Sequence, residues 1–259
     1  MQLFSSVEED LAPRLHQFYR TALGALQEAR MPFLVGGAYA LAQLTGVVRH
    51  TKDLDIFIRP GDCERVLETL SVAGYQTELT DPRWLAKAFE GEDFIDVIFS
   101  SGNAIAEVDD AWFEHAIEAR MLGLPVQLCP PEEMIWSKAF VMERERYDGA
   151  DIAHLLRSHG GRLDWQRLLD RFGSHWRVLL SHLILFGFIY PHERDGIPPA
   201  VTDVLMDRLR SESQASPTAG RLCQGTLLSK AQYVIDIDRW GYQDARLPPL
   251  HDKALSPAR

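Results

Sequence analysis

The chain has few cysteines, no long apolar run and a deficit of positive charge. Cys63, Cys129 and Cys223 are odd in number and widely separated. They fit neither a disulfide framework nor the close spacing of a zinc-ligand set. The most apolar stretch runs only from Val178 to Tyr190 and includes Ser181 and His182. That is short for a membrane span and predicts a buried helix. Glu8, Glu9 and Asp10 stand where a signal segment would be apolar, so a cytoplasmic protein is expected. Lysine and arginine number 27 against 37 acidic residues, a formal charge of -10. This balance disfavours strong non-specific DNA binding, which depends on neutralising phosphate. No internal repeat or low-complexity segment stands out. At 259 residues the chain is long enough for one large or two small domains with a sizeable core.

What is present is concentrated between Phe33 and Ile58, FLVGGAYALAQLTGVVRHTKDLDIFI. This reads as a short apolar strand, a Gly36-Gly37 turn, a helical segment and a second strand carrying Asp53 and Asp55. Side chains alternate faces along a strand, so Asp53, Asp55 and Phe57 point one way and Leu54, Ile56 and Ile58 the other. Two carboxylates about 7 Å apart on one strand face repel unless a cation lies between them. Oxygen-only ligands favour magnesium or manganese over zinc. The glycine pair permits close backbone approach to a ligand, and the following helix offers its N-terminus to phosphate. Metal and phosphate together point to phosphoryl or nucleotidyl transfer. An Asp-x-Asp pair or a Gly-Gly turn is a weak signal alone. Their combination with the basic run Arg49-His50-Thr51-Lys52 is more specific.

A later strand is expected over Asp93-Phe94-Ile95-Asp96-Val97-Ile98-Phe99. Asp96 interrupts apolar residues on both sides, where an unpartnered charge is costly. From these residues alone, Asp96 is either a site carboxylate or a residue facing water on a half-exposed strand.

These motifs resemble the core of the nucleotidyltransferase superfamily that includes polymerase beta, CCA-adding enzymes and antibiotic-modifying nucleotidyltransferases. Gly36 and Gly37 match the turn, Asp53 and Asp55 the carboxylate pair, and Arg49 to Asp55 the subgroup that includes bacterial toxins. The resemblance is clear over about residues 30–100 and visible to about 158. It implies that Asp53, Asp55 and Asp96 are catalytic and hold Mg2+ or Mn2+. It also implies that Gly36, Gly37, Thr51, Lys52 and Lys138 bind an NTP substrate. Arg144 to Asp151 looks like a basic-acidic segment of toxin-like members, placing Arg144, Asp148 and Asp151 on the acceptor side. Arg144 and Asp148 are also spaced to pair along a helix. His154 reads more readily as a structural polar contact than as a base. The implied reaction moves a nucleoside monophosphate onto a hydroxyl of a small molecule, a tRNA or a protein. The rival is an inactive binding module or a toxin-antitoxin component, whose mark would be a missing acidic ligand; the sequence has all three. Clustered without metal, three such acids are expected to raise the proton affinity of at least one.

The implied fold is α/β (α+β): a nucleotidyltransferase core of mixed sheet and flanking helices, then a helical module. The expected division is 1–129 for the core with its N-terminal helix, 130–210 for helices closing one wall of the cleft, and 211–259 for a linker and tail. Within it, a helix is expected over 7–28, with a capping box at Ser6 and Glu9. Strands are expected at 33–36, 53–58, 75–79, 93–99 and 125–129, and helices at 62–73 and 81–89. Glu132 and Glu133 are read as acidic caps. SESQASPTAG (211–220) is read as a flexible linker before a helix over 227–240.

Overall fold

The computed structural model describes residues 11–49, 51, 53–216 and 220–245. Ser6, Glu9, His50 and Lys52 therefore lie outside the described residues. The first described helix, α1 (Pro13–Glu28), starts with proline at its first turn, where the missing N–H costs nothing. Phe18, Tyr19, Ala22, Leu23 and Leu26 form its buried stripe. Residues 11 and 12 are not helical, so the expected continuous helix from residue 7 is corrected at this point.

The centre of the fold is a seven-stranded mixed sheet. Its strands are β1 (Leu34–Val35), β2 (Asp53–Phe57), β3 (Gln76–Asp81), β4 (Leu85–Glu90), β5 (Asp93–Ile98), β6 (Ile117–Met121) and β7 (Leu124–Leu128). The order across the sheet is β3-β4-β5-β2-β1-β7-β6. β2 runs parallel to β5 and β1 parallel to β7, while the other neighbours are antiparallel. Register sorts the two faces. Asp55 lies opposite Asp96, and Asp96 opposite Lys87. On the reverse face Leu54, Ile56, Ile95, Val97, Ala86 and Ala88 are all buried. The period of two along each strand thus separates a greasy face from a charged one.

The segment 81–89, expected as a helix, is instead a turn and strand β4. The Asp81 carboxylate accepts the backbone N–H of Arg83 at 3.0 Å, and the Trp84 N–H donates to the Asp81 carbonyl at 3.1 Å, reversing the chain. Ala86 and Ala88 favour helix in isolation, but as small residues they fit a strand buried under α3 (Cys63–Val72). The strand expected at 125–129 is β7, but β6, the other arm of its hairpin, was not expected. The hairpin's Leu122-Gly123 turn has φ of 53° at Leu122 and 75° at Gly123. Leucine is not a usual residue for such a turn, but here it is 1% exposed, and burial offsets the backbone strain.

Helices α2 (Gly37–Thr45), α4 (Asp110–Glu114), α5 (Pro131–Lys138), α6 (Gly149–His159), α7 (Trp165–Phe172), α8 (Trp176–Ile189) and α9 (Pro199–Gln214) complete the body. One apolar core runs from α1 through the sheet into α9. Glu132 and Glu133 stand in the first turn of α5, where acidic caps were expected, and both are buried. Glu132 pairs with Arg167 at 2.5 Å and Glu133 with Arg171 at 3.1 Å. Arg171 also grips Asp109 through two bonds of 2.6 and 2.8 Å. These pairs lock α5 to α7 and to the loop before α4.

The stretch Trp165–Ile189 is apolar enough by composition to cross a membrane. Gly173, at φ 46°, breaks it, and Trp176, Leu179, Leu183 and Phe186 pack into the core. The expected helix is there and is buried on this side, while Ile184 and Phe188 on its other side are exposed. Helix α9 extends to Gln214, so the segment expected as linker begins helical. The expected helix over 227–240 shortens to α10 (Lys230–Asp238), which buries Tyr233. Beside it, β8 (Leu222–Cys223) and β9 (Gln243–Asp244) form a small parallel pair.

Candidate active site

The charged face of the sheet brings Asp53, Asp55 and Asp96 together. Each offers one carboxylate oxygen within 4.8 Å of the others. Neighbouring residues hold them in different ways. The Thr51 hydroxyl donates to Asp53 Oδ1 at 2.6 Å, so Thr51 orients an acid in this structure. Asp96 Oδ1 accepts from Lys87 Nζ at 2.5 Å. Asp55 lies against the start of α2. The Gly36 N–H donates to the Asp55 carbonyl at 3.0 Å, tying the end of β1 to β2 at this residue.

Both glycines are required by close approach. A Cβ on Gly36 would sit 2.2 Å from the Phe57 ring, and one on Gly37 would sit 1.7 Å from Asp55 Oδ2. Gly37 also has φ of 54°, a left-handed conformation that side chains disfavour. Gly37→Ala is therefore expected to destabilise the protein by roughly 1–3 kcal/mol and to push Asp55 out of place. Thermal unfolding together with Mn2+ titration checks this, the titration showing weaker binding than wild type.

Burial raises the Asp55 carboxyl to about 7, reinforced by Asp53 and Asp96 and opposed by Lys138 and Arg146. Burial likewise raises Asp96, against the pull of Lys87. Three acids packed this closely, one of them reluctant to ionise, are a donor set short of positive charge. A hard divalent cation fits it: all the ligands are oxygens, and the charge they lack is what such an ion supplies.

Charged side chains from α5, α6 and the turn between them act on this cluster. Lys138, at the end of α5, reaches Asp148 Oδ2 at 2.9 Å and Asp151 Oδ2 at 2.8 Å. Burial works against its charge, but the two carboxylates outweigh burial and raise its pKa. Lys138 is thus engaged with Asp148 and Asp151, while its charge is felt at Asp55. Burial also acts to raise Asp148, yet Lys138 and Arg146 hold it below the usual carboxylate range.

Arg144 is not part of this group. Residues 142–147 form an antiparallel turn closed by the Met142–Tyr147 bridge, not a helix, so Arg144 and Asp148 do not pair at helical spacing. Asp148 instead takes Arg146, at 3.1 Å from Oδ1 and 3.2 Å from Oδ2. Arg144 is exposed, and its backbone N–H donates to the Ser229 hydroxyl at 3.3 Å. Sequence reasoning also missed Arg49 as a bridge. It pairs with Asp151 and lies 3.3 Å from His154 Nδ1, linking the approach to β2 with α6. Burial and then Arg49 lower the pKa of His154. The signal for Arg49 was the basic run before Asp53; the signal for Lys87 was hidden by the misread strand.

A family model described as an uncharacterised nucleotidyltransferase matches residues 12–184. The chain belongs to this nucleotidyltransferase family. No curated protein matches the sequence. Among solved structures, the chain is similar to the antibiotic-resistance factor ANT(2'')-Ia in solution. That match has 16% identity and a TM-score of 0.42, and covers 78% of this chain and 95% of that one. It is also similar to the lincosamide antibiotic adenylyltransferase LnuA bound to lincomycin, with 17% identity, a TM-score of 0.39, and coverage of 56% and 96%. JHP933 from Helicobacter pylori gives 14% identity, a TM-score of 0.38, and coverage of 79% and 97%. Family membership rests on the matched sequence.

Proposed function

We propose that this nucleotidyltransferase moves a nucleoside monophosphate from an NTP to a hydroxyl of its acceptor, with magnesium or manganese held by Asp53, Asp55 and Asp96. The observation that carries this reading is the convergence of one oxygen from each of these acids beside the Gly36-Gly37 turn. A divalent cation bound there would lower the pKa of the acceptor hydroxyl and offset the charge of the phosphates.

The chain's own residues supply the rest. The start of α2 lies beside Asp55, and its unpaired backbone N–H groups would receive the phosphates of the NTP. Arg146 and Lys138 supply positive charge that is felt at the acids. Asp96, which meets the Asp53 and Asp55 pair, takes the proton of the acceptor hydroxyl. The new bond joins the acceptor oxygen to the α-phosphorus. The bond broken joins the α-phosphorus to the bridging oxygen, and pyrophosphate departs.

An α-labelled NTP with Mg2+ or Mn2+, incubated with cell extract fractionated into protein, RNA and metabolites, tests the proposal. Label is expected in one fraction with wild type and in none with Asp53→Ala/Asp55→Ala. That fraction assigns the acceptor as protein, tRNA or small molecule, and the four labelled NTPs in turn assign the donor. Absence of label from every fraction with folded wild-type protein contradicts transfer.

A further inference from the structure

Asp96 is held by a cation of the fold itself. Lys87 is its register partner on β4, and Nζ lies 2.5 Å from Asp96 Oδ1. The same ammonium lies 3.8 Å from the centroid of the Phe94 ring, two residues before Asp96 on the same face of β5. The two side chains of the pair are only 20% and 15% exposed. Lys87 has a second carboxylate in register, Glu78 on β3, but that residue is exposed. The ammonium is bonded to the shielded acid, where Coulomb attraction is stronger than at a solvated one. The other two acids are held by neutral donors or more distant charges: Thr51 on Asp53, with Lys138 and Arg146 acting on Asp55.

A carboxylate has two oxygens with which to meet a cation, and Lys87 occupies one of Asp96's. It also adds a fixed positive charge to a cluster whose attraction for a divalent ion comes from its negative charge. Both effects weaken cation binding. In return, the Lys87 ammonium, braced on the Phe94 ring, restrains the rotamer of Asp96 while that acid still meets Asp53 and Asp55. We propose that Lys87 is a positioning residue that withholds one oxygen of Asp96 from the divalent cation, giving up metal affinity to fix the geometry of transfer. This inference rests on the nucleotidyl-transfer reading of the site.

The test is titration of the full chain with Mn2+ alone, followed by calorimetry or by the paramagnetic signal of the free ion, beside turnover assays. Lys87→Met and Lys87→Gln are expected to tighten the Mn2+ Kd by roughly tenfold, since a unit charge has left the site. Their kcat is expected to fall by about tenfold or more, with a smaller change in the KM for NTP. Lys87→Arg keeps the charge and is expected to hold the Mn2+ Kd within about twofold of wild type. A merely structural ion pair predicts otherwise. Unchanged or weaker Mn2+ binding in folded Met and Gln variants overturns the proposal, as does a tenfold shift in the Arg variant. If the Met and Gln variants do not fold, the Arg variant decides alone. A wild-type chain that binds no Mn2+ overturns both this inference and the metal-dependent reading of the site. Wild-type binding with unshifted variants overturns this inference only.

Discussion

Asp53→Ala and Asp55→Ala are each expected to abolish nucleoside monophosphate transfer, lowering kcat by at least about a thousandfold, or ~4 kcal/mol of activation free energy, while the protein stays folded. The two acids lie on the charged face of β2, with Leu54 and Ile56 carrying the burial of that strand on the other face. Removing either carboxylate leaves the reverse-face core untouched. What is lost is a ligand oxygen from a set of three that meet within 4.8 Å. The expected pattern is an unchanged circular dichroism spectrum and cooperative unfolding, together with lost Mn2+ binding and lost transfer. Near-normal turnover of Asp53→Ala with Mg2+ and an NTP would show that the reaction does not run at these acids.

The parts of this site legible in the sequence are those set by local spacing. Two aspartates two residues apart on an apolar strand must share a face, and two glycines before a helix mark a backbone that something approaches closely. Asp96 was legible as a charge among apolar neighbours, though only the β2–β5 register places it opposite Asp55. What was illegible depends on contacts distant in sequence. Lys87 reads as a helix residue because Ala86 and Ala88 favour helix, and only burial of those alanines in the sheet makes the segment a strand. Strand β7 was legible, but its pairing with β6 hides behind a leucine in the turn, tolerated because the core covers it. Arg146 rather than Arg144 meets Asp148 because residues 142–147 turn back on themselves. Glu132 and Glu133 were legible as first-turn acids, but not their burial, because Arg167 and Arg171, their partners, lie more than thirty residues later.

Asp55→Asn is expected to make the metal-free protein more stable at pH 8, with a Tm on the order of 10 °C above wild type. The sign follows from the buried carboxyl. Its pKa is raised in the folded chain to about 7 from the ordinary 3.8, first by burial and then by Asp53 and Asp96. The folded state therefore holds a proton that the unfolded chain releases. Stability from that proton is fully present below the ordinary carboxylate range and is lost as pH rises toward 7. Above 7 the folded protein carries a buried anion beside two others, a cost of about 4 kcal/mol at most. Asparagine has nearly the same shape and no charge to ionise, so it escapes that cost. The Tm difference is expected to shrink steadily from pH 8 toward pH 5, where Asp55 is itself neutral. Mn2+ is expected to raise the wild-type Tm more at pH 8 than at pH 6, because at the higher pH it meets an ionised site without displacing a proton. The same ion is expected to raise the Asp55→Asn Tm little at either pH. Thermal scans of both proteins across this range, with EDTA and with Mn2+, measure all of these outcomes. An Asp55→Asn variant no more stable than wild type at pH 8 in EDTA would mean that Asp55 is not a charge the fold bears at a cost.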